Sequence, residues 1–230
     1  MLTKIDLKEY FNNLSGTYRT NEFASFFLTN FMRRKLIKKV QNFENKSVLD
    51  IMSGKGENLK YINQNNTKIT TIDFASKMNI AAKSKHKNKK IHQIENDFFK
   101  EKHKPESYDI ILCSFGIKTI QPEQLNAFTK QLSKTLKPNG EIFLLELVKP
   151  KRTFNYKFTK FYLDALVPNI FGKQFKALFP YIKNHVNMNK LKLNMINEKL
   201  QIIEHKRYMD LFEIIHAKNI AIPSLNKTIE

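Results

Sequence analysis

The sequence predicts an α/β fold, an open and mostly parallel sheet with helices on both faces. Three observations carry that prediction. Leu136 to Pro150 (LKPNGEIFLLELVKP) reads as a helix end, a tight turn and a buried strand in succession. Ser47 to Glu57 (SVLDIMSGKGE) runs apolar residues into a glycine turn, and Thr70 to Phe74 (TTIDF) is a short strand closing on an acid. Tyr108 to Thr119 (YDIILCSFGIKT) is a second buried strand that opens into a loop. In this order they describe a sheet that binds its ligand across the carboxyl edge of the strands.

Taken along the chain, residues 4–45 repeat apolar positions at three and four and are expected to be helical. The first strand is expected at Val48 to Met52, followed by a helix from Asn58 to Gln64 and a second strand from Ile69 to Asp73. A helix from Ser76 to Lys85 and a third strand from Ile91 to Glu95 continue the alternation. Tyr108 to Cys113 is the expected fourth strand, and Pro122 to Leu136 a helix with proline in its first turn. The fifth strand is expected from Glu141 to Leu147, after an Asn139-Gly140 turn. Such alternation argues for parallel strands connected by helices.

Between Lys149 and Asn187 the pattern changes. Aromatic residues (Phe154, Tyr156, Phe158, Phe161, Tyr162, then Phe171, Phe175, Phe179 and Tyr181) alternate with lysines without a strand rhythm, which predicts a helical insertion. Leu200 to His205 and Asp210 to Ala217 then read as an antiparallel strand pair at a sheet edge. The tail from Ile222 is expected to fray. The chain thus divides, within one domain, into an amino-terminal helical cap (1–45), a ligand-binding core (46–150), the insertion (151–190) and the last two strands (191–220).

A length of 230 residues and a hydrophobic content of 41% suit one folded domain with a sizeable core. No apolar run reaches the roughly 20 residues of a spanning helix. The start, MLTKIDLKEYF, lacks a long apolar segment and the single Cys113 has no disulfide partner, so a cytoplasmic location is expected. The net charge of +19 comes mainly from lysines scattered among Asn and Ile. There is no arginine-rich block, no Cys/His zinc spacing and no aromatic RNA-binding signature, which argues against a nucleic-acid partner. The six histidines show no metal spacing, so no metal centre is expected.

The chemistry concentrates at strand ends. In Asp50-Ile-Met52-Ser53-Gly54-Lys-Gly56 glycine lets a ligand approach backbone N–H groups. Two glycines fall short of the dinucleotide fingerprint, and the phosphate-loop Gly-Lys-Ser/Thr is absent; an ordinary tight turn would give the same residues. Asp73 ends the next strand about twenty residues on, where a carboxylate can accept hydrogen bonds from ribose hydroxyls. Asp97 follows the third strand, placed either to accept from an adenine amino group beside Phe98 or to cap a helix.

On these residues the chain resembles the class I S-adenosylmethionine-dependent methyltransferases, and most closely the ubiquinone/menaquinone biosynthesis C-methyltransferase family. The matching stretches are YFNNLSGTY (Tyr10 to Tyr18), VLDIMSGKGE, TIDFASKM (Thr71 to Met78), YDIILCSFGIKTI and LSKTLKPNGEIFLLELVKP. The resemblance implies a Rossmann-like, seven-stranded sheet whose strand seven is antiparallel, with S-adenosyl-L-methionine over strands one and four. It places Asp50 and Gly54 at the methionine moiety with Met52, Ser53 and Gly56 around the turn, and Asp73 at the ribose with Phe74 and Met78 beside it. Asp97 and Phe98 fall at the adenine, Ser114 at the methyl side, and Tyr18 closes over the cofactor. The chain departs from the family at Met52 and Ser53, where small residues or glycine are common. It departs again at Lys118, Thr119 and Arg19, where arginine, asparagine and aspartate are usual.

The implied activity is methyl transfer to a small or lipophilic aromatic acceptor, with a quinone or quinol precursor foremost. Carbon methylation needs a deprotonated ring hydroxyl, so a cation or base should stand nearby. Lys118 is the candidate cation and Glu146 the orienting or basic group; alternatively Lys118 is a solvated loop lysine and Glu146 pairs with Lys149. The aromatics of the insertion would roof the acceptor, or serve as plain core, while its lysines favour peripheral contact with the inner face of a membrane. A homodimer is a further expectation. Two other readings remain open at this point: another natural-product acceptor, and a non-catalytic cofactor-, membrane- or RNA-binding protein on the same fold.

Overall fold

The computed structural model of the chain describes residues 4–14, 28–62, 66–171 and 187–220. Its strands are β1 (Ser47–Ile51), β2 (Lys68–Asp73), β3 (Ile91–Glu95), β4 (Tyr108–Ser114), β5 (Leu136–Leu147), β6 (Leu200–Tyr208) and β7 (Phe212–Asn219). They form one seven-stranded sheet in the order β3-β2-β1-β4-β5-β7-β6. Neighbours from β3 to β5 are parallel, and β7 runs antiparallel to both β5 and β6. The strand order reverses between β1 and β4, and in such sheets the crevice at the carboxyl ends of those strands receives the ligand.

The helices are α1 (Lys4–Leu14), α2 (Leu28–Ile37), α3 (Ser76–Lys85), α4 (Leu125–Thr135), α5 (Thr153–Phe161), α6 (Val167–Phe171) and α7 (Met188–Asn197). Central strands are buried on both faces, so successive side chains serve opposite layers. Ile110 and Leu112 of β4 pack with Met32, Leu36 and Ile37 of α2. Ile111 and Cys113 pack with Phe128 and Leu132 of α4 and with Leu191 and Met195 of α7. A smaller cluster joins Ala75 and Met78, at the start of α3, to Leu163 and Val167, with Tyr10 and Phe11 of α1 packed against it. Asn12 Oδ1 of α1 accepts from the Lys77 backbone N–H of α3 (3.0 Å). No described helix is long and apolar enough to cross a membrane.

α3 and β3 coincide with the expected boundaries, and the antiparallel pair lies at the sheet edge, with β6 outermost. Several elements differ from expectation, among them the helical run expected to residue 45, which ends at Ile37. The helix expected from Asn58 is a short 3-10 helix, Glu57–Tyr61. It is entered through left-handed Gly56 and left through extended Ile62, whose N–H donates to Leu59 O, and Lys89 Nζ donates to the carbonyls of Leu59 and Ile62. β5 begins at Leu136, since the Asn139-Gly140 signal is absorbed into an irregular register. Leu136 pairs with Tyr108, the next pair is Glu141 with Ile110, and Asn139 sits at φ 62°. α7 occupies residues expected to precede only strand, burying Met188, Leu191 and Met195. Tyr18, Arg19, Gln64, Phe175, Phe179, Tyr181 and the tail from Ile222 lie outside the described residues.

Candidate active site

The ends of β1 and β4 lie side by side, Ile51 pairing with Cys113. Both strands leave the sheet through non-glycine residues in the left-handed region, Met52 at φ 51° and Phe115 at φ 64°. Backbone strain of this kind persists where surrounding structure enforces it, and it concentrates at ligand sites. Here Gly116 supplies the room. A Cβ at Gly116 would stand 2.6 Å from Met52 Cβ and 2.7 Å from its Sδ. The turn after β1 is closed by Ser53 N–H donating to Ile72 O (3.1 Å) and Gly56 N–H to Ser53 O (2.9 Å). Gly54, at φ 54°, faces open space where a Cβ would lie.

Asp50, the last inward-facing acid of β1, is wholly buried. Asn58 Nδ2 donates to its Oδ1 (2.8 Å), and Ser114 Oγ at the end of β4 donates to Asn58 Oδ1 (3.0 Å). Asp50 Oδ2 has no hydrogen-bond partner among the described residues. Loss of water pushes the carboxyl up to about 7, against the Asn58 hydrogen bond and the Arg33 charge and with help from the Asp73 charge. A buried acceptor without a donor is costly, so a ligand bearing N–H groups or positive charge at this point would relieve it.

Asp73 closes β2 and is also buried. Gly54 N–H donates to its Oδ2 (2.8 Å) and Ala75 N–H to its Oδ1 (2.9 Å). Burial raises this carboxyl above the ordinary carboxylate range, opposed by those two N–H groups. Asp73 thus locks the glycine turn to the second strand while keeping acceptor capacity to spare, since a carboxylate offers about four lone-pair sites. Phe74 stands edge-on to Phe11 of α1 with centroids 6.2 Å apart, and Met78 is buried in α3 beneath α1. Asp97 Oδ1 accepts from Phe99 N–H (3.1 Å) within a turn that no helix follows, and Phe98 turns into the core against Phe128.

At the ends of β4 and β5 a different chemistry appears. Glu146 is wholly buried, its Oε2 accepting from Lys118 N–H (2.9 Å) and its Oε1 from Leu147 N–H (2.7 Å). The Lys118 ammonium lies 3.4 Å from Glu146 Oε1 and donates to Phe115 O. It also stands 5.6 Å from the Phe115 ring, which carries the Arg33 guanidinium at 4.7 Å. Glu146 therefore pairs with Lys118, and Lys118 is mostly enclosed rather than solvated. Cys113 lies beneath this pair, its thiol pushed up by burial and then by the Glu146 and Asp50 charges. Among the described residues no cluster of three or more His, Cys, Asp or Glu could hold a metal ion.

Asn58, Arg33 and Gly116 belong to this arrangement and were not singled out from the sequence. An asparagine after a glycine turn and an arginine in an amphipathic helix carry no distinguishing local pattern. Gly116, by contrast, sits inside the SFGIKTI stretch.

A family model described as a methyltransferase domain matches residues 48–140. The demethylmenaquinone methyltransferase of Chlamydia pneumoniae is 30% identical over 169 residues, which is 72% of this chain and 72% of that protein. The ubiquinone/menaquinone biosynthesis C-methyltransferase of Rickettsia akari is 28% identical over 173 residues, 70% of this chain and 68% of that one. Among solved structures, an S-adenosylmethionine-dependent methyltransferase from Aquifex aeolicus superposes with a TM-score of 0.61 at 16% identity. It covers 82% of this chain and 89% of its own, so it supports the fold alone. With the sheet order and its antiparallel seventh strand, these likenesses show that the chain is an S-adenosylmethionine-dependent methyltransferase and belongs to the ubiquinone/menaquinone biosynthesis methyltransferase family.

Proposed function

We propose that the enzyme methylates a ring carbon of a quinol-type aromatic acceptor. The observation that carries this reading is the Lys118–Glu146 pair, an ammonium held by a wholly buried carboxylate at the carboxyl ends of β4 and β5. The names of the relatives, which act on menaquinone and ubiquinone precursors, agree with it. A bound S-adenosylmethionine would supply a sulfonium methyl group for in-line displacement.

The residues present suit that cofactor. Asp50 offers an unpartnered buried acceptor for the cationic methionine end, and the open space at Gly54 lets the chain of the ligand lie against the backbone. Asp73 would receive the ribose hydroxyls, with Asp97 toward the adenine and Ser114 at the methyl side. Met52, Ser53 and Gly56 shape the turn, while Phe74 and Met78 line the flank toward α1. On the acceptor side, Lys118 would stabilise the phenolate formed when the ring hydroxyl loses its proton, making the adjacent carbon nucleophilic. Glu146 would position that ammonium and stand ready to receive the proton that the ring carbon sheds after transfer. Holding the two reactants in line supplies much of the remaining acceleration.

Calorimetric titration with S-adenosylmethionine and S-adenosylhomocysteine, followed by a methyl-acceptance screen of quinols and simple phenols, tests this reading. Single-site binding and carbon-methylated quinol are the expected results. Lys118→Ala should lower turnover about 100-fold, in the range of electrostatic stabilisers, and leave cofactor affinity unchanged. Turnover equal to wild type would reject Lys118, and oxygen-methylated phenol as the main product would reject the carbon-acceptor assignment.

A further inference from the structure

We infer that the outer face of α5–α6 is a docking surface for an anionic lipid bilayer. Five large apolar side chains are left exposed along this one element: Phe154 (78%), Phe158 (57%), Phe161 (58%), Leu166 (38%) and Ile170 (66%). They share a face because the helix contains a π turn, Tyr162–Leu166, between α5 and α6. In an uninterrupted α-helix at about 3.6 residues per turn, positions 161 and 166 would diverge by well over 100°. The wider π turn makes five residues close to one revolution, so Leu166 falls under Phe161 and Ile170 follows. Thr159, Leu163 and Val167, spaced four apart, are buried on the opposite face.

That inner face packs on Ala75 and Met78 at the carboxyl edge of the sheet. The stripe is therefore the outside of the element that covers the site. Exposed basic residues flank it. Residues 149–171 hold Lys149, Lys151, Arg152, Lys157 and Lys160 against the single acid Asp164, which lies 3.7 Å from Lys160 Nζ. Aromatic and aliphatic side chains on one face with cations beside them match a helix lying in the boundary of an anionic membrane. Charge complementarity selects the bilayer over a second copy of a chain whose net charge is +19. A lipophilic acceptor could then pass from the bilayer to the carboxyl edge without crossing water. This docking is independent of the acceptor assignment, since vesicle binding is measured without substrate and either can fail alone.

The chain contains no tryptophan, so Phe158→Trp creates one emitter on the stripe. Added vesicles of phosphatidylcholine with phosphatidylglycerol should shift its emission to the blue and carry the protein down on sedimentation; phosphatidylcholine alone should do neither. Phe154→Ala/Phe158→Ala/Phe161→Ala should weaken vesicle binding by at least about tenfold, and Lys157→Glu/Lys160→Glu by about tenfold, with thermal unfolding confirming that each variant folds. The inference is overturned by absence of vesicle binding, or by binding without a shift at residue 158. It is equally overturned by a shift that rises with protein concentration in the absence of lipid, which would make the face a contact between copies.

Discussion

Asp50→Asn should make the enzyme more stable than wild type at about pH 8 and less stable at about pH 4. Burial holds the Asp50 carboxyl at about 7 against an ordinary value of 3.8. Because the folded-state value is raised, the folded chain keeps a proton that the unfolded chain releases between those limits. Stability therefore falls as pH rises through that window and stays low above it. A gap of about three pH units at about 1.4 kcal/mol each amounts to about 4 kcal/mol. Asparagine carries no such charge, but it sets an amide N–H where Oδ2 has no partner, at a cost of about 1–3 kcal/mol. The balance is a gain of about 1–3 kcal/mol at about pH 8, or roughly 2–12 °C in Tm for a chain of this size. Near pH 4 the folded carboxyl is neutral and the unfolded one is only about half ionised, so the penalty on wild type has shrunk to under about 1 kcal/mol and the amide cost outweighs it. Urea unfolding of both proteins in the ligand-free state, followed by circular dichroism across the pH range, measures the difference directly. Parallel stability profiles for the two proteins would refute the reasoning.

Two further substitutions probe neighbouring parts of the site. Asp73→Ala should weaken S-adenosylmethionine binding by about 1–3 kcal/mol and loosen the glycine turn, since the Gly54 and Ala75 N–H groups lose their acceptor; an unchanged calorimetric affinity would contradict the ribose assignment. Gly116→Ala should destabilise the fold by about 1–3 kcal/mol through its collision with Met52. Adding Met52→Gly should restore stability, since glycine removes both colliding atoms and suits φ 51°. Additive losses in urea midpoints would show that the two residues do not press on each other.

The central parallel strands β1 and β4 were legible because they are buried on both faces and read as apolar runs, Ile110 to Cys113 being the clearest. α3 and β3 were legible because the connections from β2 to α3 (residues 74–75) and from α3 to β3 (residues 86–90) are short. α7 was not, because its buried Met188, Leu191 and Met195 are spaced three and four apart but separated by lysines and asparagines. The irregular start of β5 was hidden by a sound turn signal, which the structure uses inside the strand. Within the site, the strand-ending acids Asp50 and Asp73 announce themselves by position. Asn58 and Arg33 do not, since the contact of Asn58 with Ser114 spans 56 residues and no local pattern encodes it. The Lys118–Glu146 pairing likewise joins residues 28 apart, and Glu146 could as well have served Lys149.

The placement of β7 has a consequence for synthesis. The last strand in sequence is inserted between β5 and β6, so the edge of β5 from Glu141 to Leu147 lacks its partner until Phe212–Asn219 has been made. About 64 residues separate the two, which at ribosomal rates of about 5–20 residues per second is roughly 3–13 s. For that interval the nascent chain presents Phe143, Leu144 and Leu145 on an open strand edge, the form most prone to join a neighbouring chain. Slowing of translation between residues 147 and 212 would therefore lower the yield of soluble enzyme without altering a single native contact.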